Sequence, residues 1–206
     1  MARALRWLAL GDSYTIGEGV AVAARWPVQL AAALREGGIA IEDPRIIATT
    51  GWTTDELSAA MDAEEPLGEW DLVTLLIGVN NQYRGRSAED YRGEFHGLLR
   101  RAIRLAGGRA GGVLALSIPD WGVTPFARAS DRDPARIAEE LDAYNAIAGA
   151  LCLAHGVAFV DITAASRERG GEPAMLADDG LHPSAAMHAR WAEAAFPVAR
   201  RLLAAA

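Results

Sequence analysis

Leu5-Arg6-Trp7-Leu8-Ala9-Leu10-Gly11-Asp12-Ser13 (residues 5–13) is an apolar run that breaks abruptly into a glycine and two polar residues. Leu5–Leu10 has the length and content of a buried strand, and Gly11-Asp12-Ser13 ends it. The pattern recurs along the chain. Arg45–Ala48 ends at Thr49-Thr50-Gly51, Asp71–Ile77 at Gly78, Val113–Ile118 at Pro119-Asp120, and Val157–Val160 at Asp161. Amphipathic stretches lie between these runs. Trp26–Arg35 reads as a helix stopped by Gly37-Gly38, and Thr54–Met61 as a short one. Ser87–Leu105 reads as a long helix with Ser87 as its cap and Asp90 three residues on. Pro134–His155 has Asp133 ahead of it and Gly156 behind it. Ser184–Leu203 closes the chain, with a kink expected at Pro197. Asp161–Gly180 is the longest expected loop, with room for a short helical turn. Strands alternating with helices predict an α/β fold with a parallel sheet covered on both faces. The strands are continuously apolar rather than alternating, as burial on both sides requires.

A length of 206 residues suits a single domain, 1–206. Hydrophobic residues make up 51% of the chain and charged ones 23%, enough apolar material for a sizeable core. The net charge of −7 argues against nucleic acid or an anionic lipid surface as partner. All 20 basic residues are arginine. The absence of lysine excludes Schiff-base chemistry, a Walker lysine and a Ser–Lys dyad. The lone cysteine, Cys152, rules out an internal disulfide and sits in an apolar helical run as a small hydrophobe. No stretch approaches the roughly 20 apolar residues of a membrane span, and Met1–Leu10 is too short for a signal peptide. The chain as given therefore reads as cytoplasmic, although one with its leader removed would read the same. It is expected to be a monomer or a homodimer.

In a doubly wound sheet, ligands bind beyond the carboxyl ends of the strands. The polar residues just after the strands are Asp12-Ser13, Thr50-Gly51, Asn80-Asn81, Asp120-Trp121 and the loop Asp178-Asp179-Gly180-Leu181-His182. Ser13 at the mouth of the sheet is a candidate nucleophile, although alone it reads more readily as a polar turn or helix cap. Asp179 and His182, three apart on one tight loop, can hydrogen-bond to each other. The aspartate then orients the imidazole, whose other nitrogen accepts a proton. Taken alone, the pair also reads as an ordinary loop leading to a helix capped by Ser184. Acyl transfer further needs donors for an oxyanion. The N–H groups of Ser13 and Gly51 and the side-chain amide of Asn80 are candidates, as much as turn residues would be. Asp12 reads as a structural acceptor of loop N–H groups.

Taken together, Gly11-Asp12-Ser13-Tyr14-Thr15, Gly51, Gly78-Val79-Asn80-Asn81 and Asp179-Gly180-Leu181-His182 resemble, in order and place, the four blocks of the SGNH hydrolases, also called GDSL esterases and lipases. The resemblance spans residues 11–182. It implies a flavodoxin-like three-layer α/β/α sandwich with a five-stranded parallel sheet, and ester hydrolysis with no metal and no cofactor. It makes Ser13 the nucleophile, His182 the general base and Asp179 the third triad member. Ser13, Gly51 and Asn80 become the oxyanion hole. Two positions depart from the family pattern: Tyr14 stands where Leu or Ile is usual, and Asn81 where Asp is usual.

Trp52, Tyr83, Trp121 and Phe126 follow strands two to four and are candidate walls of a substrate pocket. Arg84 and Arg86 read as solvated arginines or as a site for an anionic head group. His96 and His155 read as surface or helix-end histidines, and His188, at the start of the last helix, is only a minor candidate to flank the site. The expected function is hydrolysis of a small-molecule carboxylic ester of small to medium acyl chain, of the lysophospholipase, thioesterase or arylesterase type. The rivals are a carbohydrate acetylesterase, a non-catalytic ligand-binding domain, and an FMN-binding flavodoxin-like protein. The last wants a hydroxyl-rich loop after the first strand, and Gly11–Gly19 offers only Ser13 and Thr15.

Overall fold

The computed structural model describes residues 3–204. The first two and last two residues of the expected domain 1–206 lie outside them. Five strands form one sheet: β1 (Trp7–Gly11), β2 (Arg45–Ala48), β3 (Leu72–Leu76), β4 (Val113–Leu116) and β5 (Ala158–Val160). Their spatial order is β2-β1-β3-β4-β5, and every pairing is parallel. Leu10 of the central β1 lies in register with Ile47 on one side and Leu75 on the other. Every residue of β1, β3 and β4 is buried, which explains why these strands lack polar alternation.

Nine α-helices are described: α1 (Ser13–Ile16), α2 (Trp26–Glu36), α3 (Thr54–Ala63), α4 (Val79–Tyr83), α5 (Ala88–Leu105), α6 (Pro125–Ala129), α7 (Pro134–His155), α8 (Thr163–Arg169) and α9 (Ala185–Ala204). Helices α2 and α9 pack on each other, while α3 and α7 both pack on α5. With right-handed crossovers and this strand order, the two groups cover opposite faces of the sheet. The result is a three-layer α/β/α sandwich. Its core includes Trp7, Trp26 and Trp191, all fully buried. Among the described residues, no helix is long and apolar enough to cross a membrane.

The long helices begin and end where their sequence signals lie. The Ser87 side chain accepts the Asp90 N–H at 3.0 Å. Asp133 caps α7, and Gly156 closes it in the left-handed region at φ 69°. Leu5 falls outside β1 and makes only an isolated bridge to Ile41. The short helices α1, α4 and α6 lack the periodic apolar faces that mark a helix in sequence. Asp161–Gly180 is not one open loop, since it folds into α8 and a 3₁₀ turn at Pro173–Met175. Cys152 is buried, and burial pushes its thiol up to about 12, in line with an inert hydrophobe.

Gly78 links β3 to α4 at φ 130°. A Cβ there would sit 2.6 Å from the Tyr91 ring and 2.9 Å from Ile118 Cδ1. Gly78→Ala therefore combines backbone strain with overpacking and is expected to lower stability by about 2 kcal/mol or more. Chemical denaturation of the two proteins measures this directly.

Candidate active site

The strands all point the same way, so their following loops gather at one edge of the sheet. There, Ser13, Tyr14, Thr50, Gly51, Val79, Asn80, Tyr83, Trp121, Phe126, Leu181 and His182 line a cleft of about 240 Å³. Residues from four separate strand-end segments and from the loop before α9 thus meet in one depression.

Ser13 is the first residue of α1. The N–H at a helix start has no intrahelical acceptor, so that of Ser13 remains available as a donor. Asp12 caps this helix, its Oδ1 accepting the Tyr14 N–H at 3.0 Å. The carboxyl is completely buried and its Oδ2 has no partner. Burial raises it to about 7, against the pull of the hydrogen bond from the Tyr14 N–H.

His182 and Asp179 are held on one tight loop. His182 Nδ1 lies 2.6 Å from Asp179 Oδ2, while Asp179 Oδ1 accepts the Leu181 and His182 N–H groups, each at 2.9 Å. Partial burial opposes ionisation of Asp179, but the bonds from the His182 ring and these two N–H groups outweigh it. The carboxyl therefore lies below the ordinary range. The loop is itself braced. Ala177 N–H donates to His182 O at 2.8 Å, Ser184 N–H to Met175 O at 2.9 Å, and Phe126 N–H to Gly180 O at 3.2 Å. The 3₁₀ turn that the sequence left inside a loop is therefore what backs the histidine.

The Gly51–Thr54 turn is clamped residue by residue. Arg84 Nη2 donates to Gly51 O at 2.7 Å, and Asn80 Nδ2 donates to Trp52 O at 2.9 Å. Glu56 Oε2 accepts the Thr53 N–H at 2.8 Å, and Asn81 Oδ1 accepts the Thr54 N–H at 3.0 Å. Asn80 keeps its second amide hydrogen for the cleft. Gly51 sits at φ 90°, a conformation that favours glycine. Asn81 also donates to Thr54 Oγ1 at 2.6 Å and to Glu94 Oε2 at 3.1 Å. An aspartate there would face Glu94 with no hydrogen to give, so the asparagine fits its surroundings.

Of the aromatic candidates, Tyr83, Trp121 and Phe126 form one wall, with ring centroids 5.4 Å and 6.2 Å apart in succession. Trp121 is fixed by its indole N–H, which donates to Gln82 Oε1 at 2.9 Å. The Arg132 guanidinium lies 4.4 Å above the Tyr83 ring. Trp52 is not among the cleft residues. Its side chain packs against the core, and its contribution is the carbonyl that Asn80 grips. Arg84 is exposed and Arg86 half-buried, and both are engaged by carboxylates. Arg84 pairs with Glu56 at 3.0 Å, and Arg86 with Asp55 at 2.6 Å. His188 lies outside the cleft and is fully buried. Its Nδ1 accepts the Trp26 N–H at 3.2 Å, and burial lowers it to about 4, so the ring is neutral.

Thr50, Val79 and Leu181 stand in the stretches the sequence marks, but no role was given to them there. Each adjoins a chosen residue, and that adjacency was the only available signal. Tyr14 was noticed as a departure without a place. Its ring packs edge-on against Trp191 at 5.7 Å and lies 6.3 Å from the His182 ring. Among the described residues, no three His, Cys, Asp or Glu side chains gather to hold a metal ion.

The fold sets a serine and an Asp–His pair at the carboxyl edge of a five-stranded parallel sheet. Residues 9–190 match the GDSL-like lipase/acylhydrolase family, and the chain belongs to it. Among solved structures, the chain is similar to TesA, with 22% identity, a TM-score of 0.73, and coverage of 96% of this chain and 99% of that one. It is also similar to a lipase/acylhydrolase from Enterococcus faecalis, with 21% identity, a TM-score of 0.70, and coverage of 98% and 96%. A third is the psychrotrophic esterase EstA from Pseudoalteromonas sp., whose structure has been solved inhibited by monoethylphosphonate. It shows 14% identity, a TM-score of 0.67, and coverage of 97% and 94%. At these identities the structures share the fold. No curated protein matches the sequence.

The raised Asp12 carboxyl has a consequence for stability. The folded state binds its proton more tightly than the unfolded chain, so its contribution is full below about pH 4 and is lost as pH rises to about 7. Across that window, wild type is expected to lose as much as about 4 kcal/mol relative to Asp12→Asn. Urea denaturation of both proteins at stepped pH measures the difference, in which the other carboxylates cancel.

Proposed function

We propose that the protein is a serine esterase acting on carboxylic esters of small to medium acyl chain. The observation that carries this reading is the convergence of Ser13, Gly51, Asn80 and His182 on one cleft, with Asp179 Oδ2 2.6 Å from His182 Nδ1. Asp179 holds the imidazole with its hydrogen on Nδ1, which leaves Nε2 to accept a proton. His182 takes the Ser13 hydroxyl proton as Oγ attacks the ester carbonyl. The Ser13 N–H, the Gly51 N–H and the second Asn80 amide hydrogen receive the negative charge on the carbonyl oxygen. Collapse of the tetrahedral intermediate breaks the ester C–O bond, and His182 gives its proton to the departing alcohol. Water, deprotonated by His182, then attacks the acyl-Ser13 carbonyl. The acid leaves and Ser13 Oγ recovers its proton.

The cleft supports the substrate class. Its volume of about 240 Å³ lies below the ~300–1,000 Å³ of drug-sized ligand sites. Val79, Tyr83, Trp121, Phe126 and Leu181 make its walls largely apolar. Apolar walls suit an acyl chain or aryl group and offer few partners for sugar hydroxyls, which favours an acyl or aryl esterase over a carbohydrate acetylesterase.

Hydrolysis of p-nitrophenyl esters from acetate to laurate tests the proposal. Wild type is expected to turn over the short and medium esters best. Asn80→Ala is expected to lose about 10²–10³ in kcat, and Ser13→Ala to fall by ~10⁴ or more. Undiminished turnover by folded Ser13→Ala would overturn the mechanism, and a preference for laurate would overturn the chain-length assignment.

A further inference from the structure

His96 and His155 read in the sequence as two unrelated histidines 59 positions apart. The structure brings their rings together between α5 and α7, partly buried, with Nε2 facing Nε2 at 2.8 Å and ring centroids 4.9 Å apart. With no metal present, one Nε2 must donate its hydrogen to the other, so the pair shares a single proton. Two imidazole nitrogens bound to one ion at about 2.0–2.1 Å lie about 2.9 Å apart at a right angle and about 3.3 Å apart at the tetrahedral angle. The observed 2.8 Å is about 0.1 Å short of the first spacing and about 0.5 Å short of the second. Small ring tilts are enough to open the gap, since both side chains project from rigid helices that already pack against each other.

We propose that His96 and His155 form an exchangeable binding site for a divalent transition-metal ion, with Cu²⁺ bound most tightly and Ni²⁺ and Zn²⁺ more weakly. Binding needs both Nε2 lone pairs, so the ring that donates in the metal-free pair shifts its hydrogen from Nε2 to Nδ1. His155 is the last residue of α7, where the partial negative charge of the helix end favours a cation. Among the described residues, no third His, Cys, Asp or Glu completes the set, so water fills the remaining positions. The ion is therefore exchangeable rather than structural, and when bound it ties α5 to α7 on one face of the sheet. Neither histidine lines the cleft, so the site is separate from ester hydrolysis.

The test uses untagged full-length protein and Cu²⁺ alone. Calorimetric titration is expected to give one ion per chain, with an electron paramagnetic resonance spectrum showing two nitrogen ligands. His96→Gln and His155→Gln are each expected to lower the affinity at least tenfold and abolish the two-nitrogen signature, with hydrolysis of p-nitrophenyl esters unchanged. A readout free of variants covers poor folding of either one. Substoichiometric Cu²⁺ is expected to broaden the imidazole NMR signals of two of the four histidines in wild type, leaving those of His182 and His188 sharp. Equal affinity in wild type and both variants, or broadening confined to His182, would overturn the proposal. Neither result depends on the esterase reading.

Discussion

A parallel sheet buried on both faces leaves little room for polar groups along its strands, where Thr74 survives by accepting the Trp7 indole N–H at 3.1 Å, so most polar side chains near it gather at the strand ends. All five strands here end at the same edge. The backbone groups exposed at those ends must find partners, and the side chains that supply them stand in or beside the cleft. Asp12 caps the helix that presents Ser13. Asn80 grips the carbonyl of Trp52 while keeping one hydrogen for the cleft. Fold stability and site geometry rest on the same hydrogen bonds, so the cleft is preorganised by the folding of the chain.

Electrostatics sharpen that arrangement in opposite directions at two carboxyl groups. Asp179, partly exposed, receives three hydrogen bonds and stays ionised beside His182. Asp12, fully enclosed with one oxygen unpartnered, is pushed up to about 7. A charged Asp179 suits a residue that steadies an imidazolium. A reluctant Asp12 suits one that serves the backbone, and it leaves Asp179 as the carboxylate in contact with the histidine.

The strand ends, the long helices and the Asp-x-x-His loop were legible in the sequence because each depends on local chemistry. Pro134–His155 is a helix over the same residues in both readings, since Asp133 and Gly156 supply both of its caps. The supports of the site were not legible, because they depend on distant contacts. Nothing around Arg84 shows that it will reach back 33 positions to the carbonyl of Gly51. The pairing of Asn81 with Glu94 needs α5 to be in place. Trp52 follows a strand as a pocket aromatic would, yet tertiary packing turns its ring to the core. The 3₁₀ turn at Pro173–Met175 becomes visible only through its bonds to the His182 loop.

Mass spectrometry after treatment with a fluorophosphonate tests the central claim most directly, namely that Ser13 is the group His182 activates. Loss of fluoride leaves the phosphonyl group bonded to the attacking oxygen. One adduct per chain is expected, mapped to Ser13, formed far more slowly in His182→Ala and absent from Ser13→Ala. An adduct on another residue, or an unmodified Ser13 in protein that still hydrolyses esters, would contradict that claim.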